Sequence, residues 1–141
     1  MVETADKLKE VWIVDDSPAL SAVLRAKTKN IKDLPYKIIA IETPNVAISR
    51  MGAERPALII SDYNILGDGD GVTVVQAANN NKIPAVMVSG DANVKEEADK
   101  HGVVFFEKSK DGSHIGALIN HINTTLGYTP FEQQATSVPS R

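Results

Sequence analysis

Five short apolar runs, separated by longer stretches of helical period, constrain this chain more than any other feature. The runs occupy residues 11–14, 37–41, 57–61, 85–89 and 103–106 and are nearly all apolar. A strand solvated on one face alternates apolar with polar residues, whereas a strand covered on both faces reads as a continuous apolar run. Such runs alternating with helical segments are the pattern of a parallel sheet with helices on both sides. At this spacing they fill the chain, so a single three-layer α/β domain is expected over residues 1–127.

The segments between the runs carry their own start and stop signals. Ser17 and Pro18 read as the N-cap and first position of a helix with Leu20, Val23, Leu24 and Ile31 at helical spacing. Thr43 and Pro44 open a second helix in the same way, with Gly52 as its close. A third is expected over 71–80 with Asp70 as its cap, a fourth over about 93–101, and a fifth after Asp111 or Ser113. The fifth sets Ile115, Leu118, Ile119, Ile122 and Leu126 at spacings of three and four, one apolar stripe to lay on a sheet. Residues 128–141 have two prolines and no apolar periodicity, and read as a flexible C-terminal tail or a truncated linker.

Composition narrows the chemistry. Lys+Arg 15 against Asp+Glu 18 gives a formal charge of −3, and a mild acidic excess argues against a nucleic-acid or anionic-membrane surface, both of which need a basic face. With no cysteine, disulfides, thiolate metal sites and thiol nucleophiles are excluded together. The apolar runs are far shorter than the roughly 20 residues of a membrane span or the 7 to 15 or so of a signal-peptide core. A cytoplasmic protein is the expectation.

In an open parallel sheet, ligands bind beyond the carboxyl ends of the strands. After the first run comes Asp15-Asp16, after the third Asp62, at the end of the fourth Ser89, and just past the fifth Lys108. Parallel strands bring all of these to one edge. Unit charges 4 Å apart repel by about 4 kcal/mol at an effective dielectric of 20, so three carboxylates there call for a cation. An oxygen-only donor set with two or three carboxylates suits octahedral Mg²⁺ better than a Ca²⁺ cage.

These residues also carry a resemblance. Val11-Trp12-Ile13-Val14-Asp15-Asp16-Ser17, Leu58-Ile59-Ile60-Ser61-Asp62, Pro84-Ala85-Val86-Met87-Val88-Ser89-Gly90 and Phe105-Phe106-Glu107-Lys108 together resemble the receiver domain of two-component response regulators, of the chemotaxis type, over about residues 8–127. The resemblance implies a flavodoxin-like sheet of order 2-1-3-4-5. It implies Asp62 as phospho-acceptor, Asp15 and Asp16 as Mg²⁺ ligands beside Asp62, and the backbone carbonyl of Asn64 completing the metal shell. Ser89 and Lys108 would contact phosphoryl oxygens, and Phe105 matches an aromatic switch position. The implied donor is a sensor histidine kinase or a histidine phosphotransfer protein. The chain would then be a signalling module that catalyses only its own phosphorylation and dephosphorylation, as a monomer or a phosphorylation-promoted dimer.

Physical chemistry agrees with that assignment. Moving a phosphoryl group from an imidazole nitrogen to a carboxylate needs an in-line oxygen nucleophile and positive charge on the equatorial oxygens. The new group adds about −1.5 to −2 charge, and drawing Ser89 towards it would let Phe105 turn inward and reshape the face of the fourth helix, fifth strand and fifth helix for an output partner or domain.

The chain departs from the family pattern where Ser109 replaces a proline that is often cis, and in the loop 63–71, which lacks the usual proline and is longer by one residue. A non-proline cis bond costs about 2.5–4 kcal/mol, so the Lys108–Ser109 peptide is either trans or held under strain. These departures admit a degenerate receiver that binds partners without phosphorylation. A Mg²⁺-dependent hydrolase of small phosphoesters lacks a cap or an apolar substrate segment. A calcium loop starting at Asp62 fails because Leu66 stands where an oxygen ligand is needed and Thr73 where the bidentate Glu belongs. Asp68, Asp70 and Asp91 read as rim or capping groups, with Asp91 also placed to influence an attacking water. His101, His114 and His121 are expected on helices, at the surface or half-buried, with no catalytic role, and Trp12 in the core.

Overall fold

A computed structural model describes residues 8–65 and 71–129. Among them strands and helices alternate as β1 (Lys9–Val14), α1 (Ala19–Thr28), β2 (Tyr36–Ile41), α2 (Pro44–Glu54), β3 (Leu58–Asp62), α3 (Gly71–Asn80), β4 (Ala85–Ser89), α4 (Val94–Lys100), β5 (Val104–Glu107) and α5 (Ser113–Leu126). The strands form one parallel sheet of order β2-β1-β3-β4-β5. This is the doubly wound, flavodoxin-like arrangement expected from the alternation of runs.

The continuous apolar runs have a direct cause in the layers. Successive side chains of a strand point to opposite faces, and here both faces are covered. Val11, Ile13, Leu58 and Ile60 pack under α1 and α5 with Leu20, Leu24, Leu118 and Ile122. The alternate residues Trp12, Val14 and Ile59 pack on the other side with Met51 of α2 and Val74 of α3. Met87 of β4 meets Val75, Val94 and Ala98 of α3 and α4. Trp12 is fully buried, as expected, and its indole N–H donates to Glu10 Oε1 at 2.9 Å.

Helix boundaries differ from the sequence signals in three places. The helix expected to start at Pro18 starts at Ala19; the Pro18 carbonyl accepts from Ala22 N–H at 3.0 Å, and Ser17 Oγ takes the Ala19 N–H at 3.2 Å. Ile31 lies beyond the end of α1, and Val23 is exposed, so only Leu20 and Leu24 of the expected stripe reach the core. The Thr43 cap does form, accepting from Val46 N–H at 3.2 Å. Gly52, however, does not end α2: the helix continues to Glu54 and stops at Arg55, whose left-handed φ of 49° directs its N–H to the Met51 carbonyl. The Arg55 guanidinium donates to the Asn81 carbonyl at 2.6 Å, a contact that holds a non-glycine residue in that conformation. Asp70, expected to cap α3, lies outside the described residues, as does Asp68. The tail expected over 128–141 lies outside them too, apart from 128 and 129. Tyr128 packs its ring edge-on to Tyr36 at 6.5 Å.

Candidate functional site

The carboxyl ends of β1, β3, β4 and β5 deliver the chemistry to one edge. Asp15 follows β1 directly, Asp62 and Ser89 are the last residues of β3 and β4, and Lys108 follows β5. One carboxylate oxygen from each of Asp15, Asp16 and Asp62 lies within 4.8 Å of the others. The Lys108 ammonium enters this cluster at 3.2 Å from Asp62 Oδ1 and 3.9 Å from Asp15 Oδ2. Three acidic groups facing one cation leave a net negative site of oxygen donors, the composition that favours a hard divalent ion.

The three aspartates are not equivalent. Asp15 is buried at 7 % exposure, Asp62 is half-buried and Asp16 is exposed. Ser17 N–H donates to Asp15 Oδ1 at 3.0 Å, and the Asp15 N–H is tied to the Ile41 carbonyl at 3.1 Å, so the side chain is fixed from both directions. Burial pushes the Asp15 carboxyl above its ordinary value; the Ser17 N–H opposes this, the Asp62 charge adds to it, and Lys108 offsets part.

Backbone contacts set the direction of Asp62. Tyr63 N–H donates to the Val88 carbonyl at 2.9 Å, which extends the β3–β4 pairing past Asp62, and Gly71 N–H closes on the Tyr63 carbonyl at 3.0 Å. A Cβ at residue 71 would stand 2.1 Å from the Asp62 carbonyl oxygen and 2.8 Å from Tyr63 Cα. Only glycine allows the start of α3 to cross this close behind the aspartate. Sequence reasoning read Gly71 merely as a helix start, because a close approach between backbones leaves no periodic trace.

Ser89 is buried, and its Oγ accepts from Asp91 N–H at 3.1 Å while its carbonyl accepts from Lys108 N–H at 2.8 Å. Ser89 and Lys108 are thus joined through the backbone. Asn64 is exposed two residues beyond Asp62. Phe105 is half-buried against the Met87, Val94 and Ala98 cluster, and Phe106 faces the opposite side of the sheet, 5.6 Å from the His121 ring. The Lys108–Ser109 peptide, left open by the sequence, is trans. His114 was assigned no part in the site, yet it lines the same cavity of about 430 Å³ as Asp15 and Lys108.

Solved structures share this architecture. The signal receiver domain of a protein described as a Luxo repressor, from Vibrio parahaemolyticus, superposes with a TM-score of 0.69 at 23% identity, covering 96% of this chain and 100% of that one. The fold is the receiver fold. Chemotaxis protein CheY4 of Vibrio cholerae matches with a TM-score of 0.62 at 18% identity over 82% of this chain and 99% of its own. The phosphorylated cyanobacterial phytochrome response regulator RcpA matches with a TM-score of 0.66 at 21% identity, over 83% and 92% respectively. No family model and no curated protein matches the chain. At these identities the likeness establishes the receiver fold; the chemistry rests on the site itself.

Proposed function

We propose that the chain is a phosphorylation-dependent signalling switch that takes a phosphoryl group onto Asp62. The observation that carries this reading is the Lys108 ammonium 3.2 Å from Asp62 Oδ1 inside a cluster of three aspartates at the carboxyl edge of the sheet. The donor is a phosphohistidine on a sensor kinase or phosphotransfer protein, with small acyl phosphates as substitutes.

An Asp62 carboxylate oxygen attacks phosphorus in line. A P–O bond forms as the P–N bond breaks, and the imidazole leaves with the electron pair and takes up a proton. Lys108 lies where it can meet one phosphoryl oxygen. Ser89 Oγ accepts from Asp91 N–H, which leaves its own O–H to donate to another. The carboxylates of Asp15, Asp16 and Asp62, with the Asn64 carbonyl, are the groups that would hold Mg²⁺, which when bound neutralises charge on the remaining oxygen. Reversal of the signal is attack by water on phosphorus, with cleavage of the P–O bond to Asp62.

Output follows from the Ser89–Lys108 connection. Drawing Ser89 towards the new dianion shifts the loop between β4 and α4, and Phe105, half-buried beside Val94, turns inward to reshape the face made by α4, β5 and α5. That face then engages an output partner or domain, or a second copy, in the cytoplasm. Among the described residues no helix is long and apolar enough to cross a membrane.

Peptide mapping after borohydride reduction, which turns an aspartyl phosphate into homoserine, should place the change at Asp62. A change at another residue, with Asp62 unmodified, overturns the assignment.

A further inference from the structure

The geometry points to His114 as a positioning residue for Lys108: its Nδ1 accepts a hydrogen bond from the Ser109 N–H and so holds the peptide that aims the ammonium at Asp62 and Asp15. This rests on the phosphoryl-transfer reading of the site for its functional consequence, though not for its structural one.

Ser109 has a backbone N–H, and that donor sits in a part-buried position where it needs an acceptor. Ser109 N–H donates to His114 Nδ1 at 3.1 Å. Because Nδ1 accepts, the ring must be neutral with its proton on Nε2. Around this bond the loop closes on itself. Ser109 Oγ lies 2.9 Å from Ser113 Oγ, the Ser109 carbonyl accepts from Gly112 N–H at 3.1 Å, and Asp111 Oδ1 accepts from Ser113 N–H at 3.0 Å. On the other side, Lys108 N–H is held by the Ser89 carbonyl at 2.8 Å. Lys108 is therefore pinned on its N-terminal side by β4 and on its C-terminal side by a histidine on the first turn of α5.

Protonation converts Nδ1 from acceptor to donor and sets two N–H groups against each other, which releases the loop. The charged groups that share the cavity with the ring are Lys108 and Asp111, from the loop before α5, and Asp15 and Lys27 on the α1 side. Burial first, then the Lys108 ammonium, holds the His114 imidazole below its ordinary value, with Asp111 acting the other way. The neutral, accepting ring is thus the state present at neutral pH, and it is lost as pH falls.

Two measurements test this on the whole chain. In wild-type protein, nitrogen NMR should find the His114 ring in the Nε2–H form, with the Ser109 amide and the Lys108 ε-methylene shifts following its titration. With acetyl phosphate and Mg²⁺, His114→Ala should slow adduct formation about five- to tenfold, the loss of one hydrogen bond. His114→Asn, whose Oδ1 can stand near the Nδ1 position and does not titrate, should restore the rate and remove the acid-side fall that His114 imposes. A Ser109 amide and Lys108 signal that ignore the His114 titration overturn the proposal. So does His114→Ala reacting at the wild-type rate with the wild-type pH profile. Should wild-type protein take no phosphoryl group and also fail to bind beryllofluoride, the signalling reading fails, while the NMR titration still decides whether His114 positions Lys108.

Discussion

Lys108 Nζ stands 3.2 Å from Asp62 Oδ1 and 3.9 Å from Asp15 Oδ2, so one ammonium bridges the ends of two strands that neighbour each other in the sheet. The backbone of the same lysine is tied to Ser89 at the end of a third. Residues from four strand ends are therefore coupled through one residue, its ammonium and its backbone N–H together, and each consequence below can be measured.

Replacing Lys108 by Met keeps the aliphatic stem and removes the charge. Loss of one preorganised donor to a charged transition state is worth about 10²–10³ in rate. Adduct formation from acetyl phosphate should slow by that order while circular dichroism stays native. A Lys108→Met protein that reacts at the wild-type rate contradicts the role given to the ammonium.

Asp15→Asn should stabilise the metal-free protein at neutral pH. The folded carboxyl is held above its ordinary 3.8, chiefly by burial. A raised carboxyl contributes stability below its unfolded pKa and loses it as pH rises through the folded value, so at pH 7 the buried charge is a liability that the amide removes. The gain should appear as a higher Tm at neutral pH that shrinks as pH falls towards the ordinary carboxylate range. The same substitution should weaken the stabilisation produced by adding Mg²⁺. Thermal unfolding with and without the ion checks both.

Gly71→Ala should perturb the acceptor strand end rather than α3 alone. A methyl group 2.1 Å from the Asp62 carbonyl oxygen forces the two backbones apart. Overpacking of this kind costs about 1–3 kcal/mol. Amide shifts at Asp62 and Tyr63 should move, and phosphorylation should slow together with the loss of stability. Unchanged shifts at those two residues would contradict the close approach.

Tyr36→Phe tests a link remote from the edge. The Tyr36 hydroxyl, pushed up to about 12 mainly by burial, donates to Asn123 Oδ1 at 3.2 Å and joins β2 to α5. Removing it strands a buried amide oxygen and should lower stability by about 1–2 kcal/mol in urea unfolding, with phosphorylation unaffected.

The parallel sheet was legible in the sequence because strands covered on both faces must be continuous apolar runs, and residues 11–14 send alternate side chains into two separate cores. The site was legible for the complementary reason: Asp15, Asp62, Ser89 and Lys108 are polar groups standing where such runs stop. Contacts between distant segments were not legible. The Tyr36–Asn123 bond spans 87 residues and leaves no period. Gly71 behind Asp62 depends on how the loop after β3 folds back, and even the five-residue contact of His114 with Ser109 depends on the path of one loop, which has no period either. Arg55, rather than Gly52, closes α2 because a tertiary contact to Asn81 holds a residue that local propensity would not choose.

The central claim is that Asp62 accepts a phosphoryl group in a site that needs a divalent cation, and intact-mass spectrometry after incubation with acetyl phosphate tests it most directly. Wild-type protein should gain one phosphoryl adduct with Mg²⁺ and none after chelation, and Asp62→Asn should gain none in either case. An adduct on Asp62→Asn, or one on wild-type protein that ignores chelation, contradicts the account. So does the absence of any adduct on wild-type protein that also fails to bind beryllofluoride, and that result would make the chain a receiver fold used for binding alone.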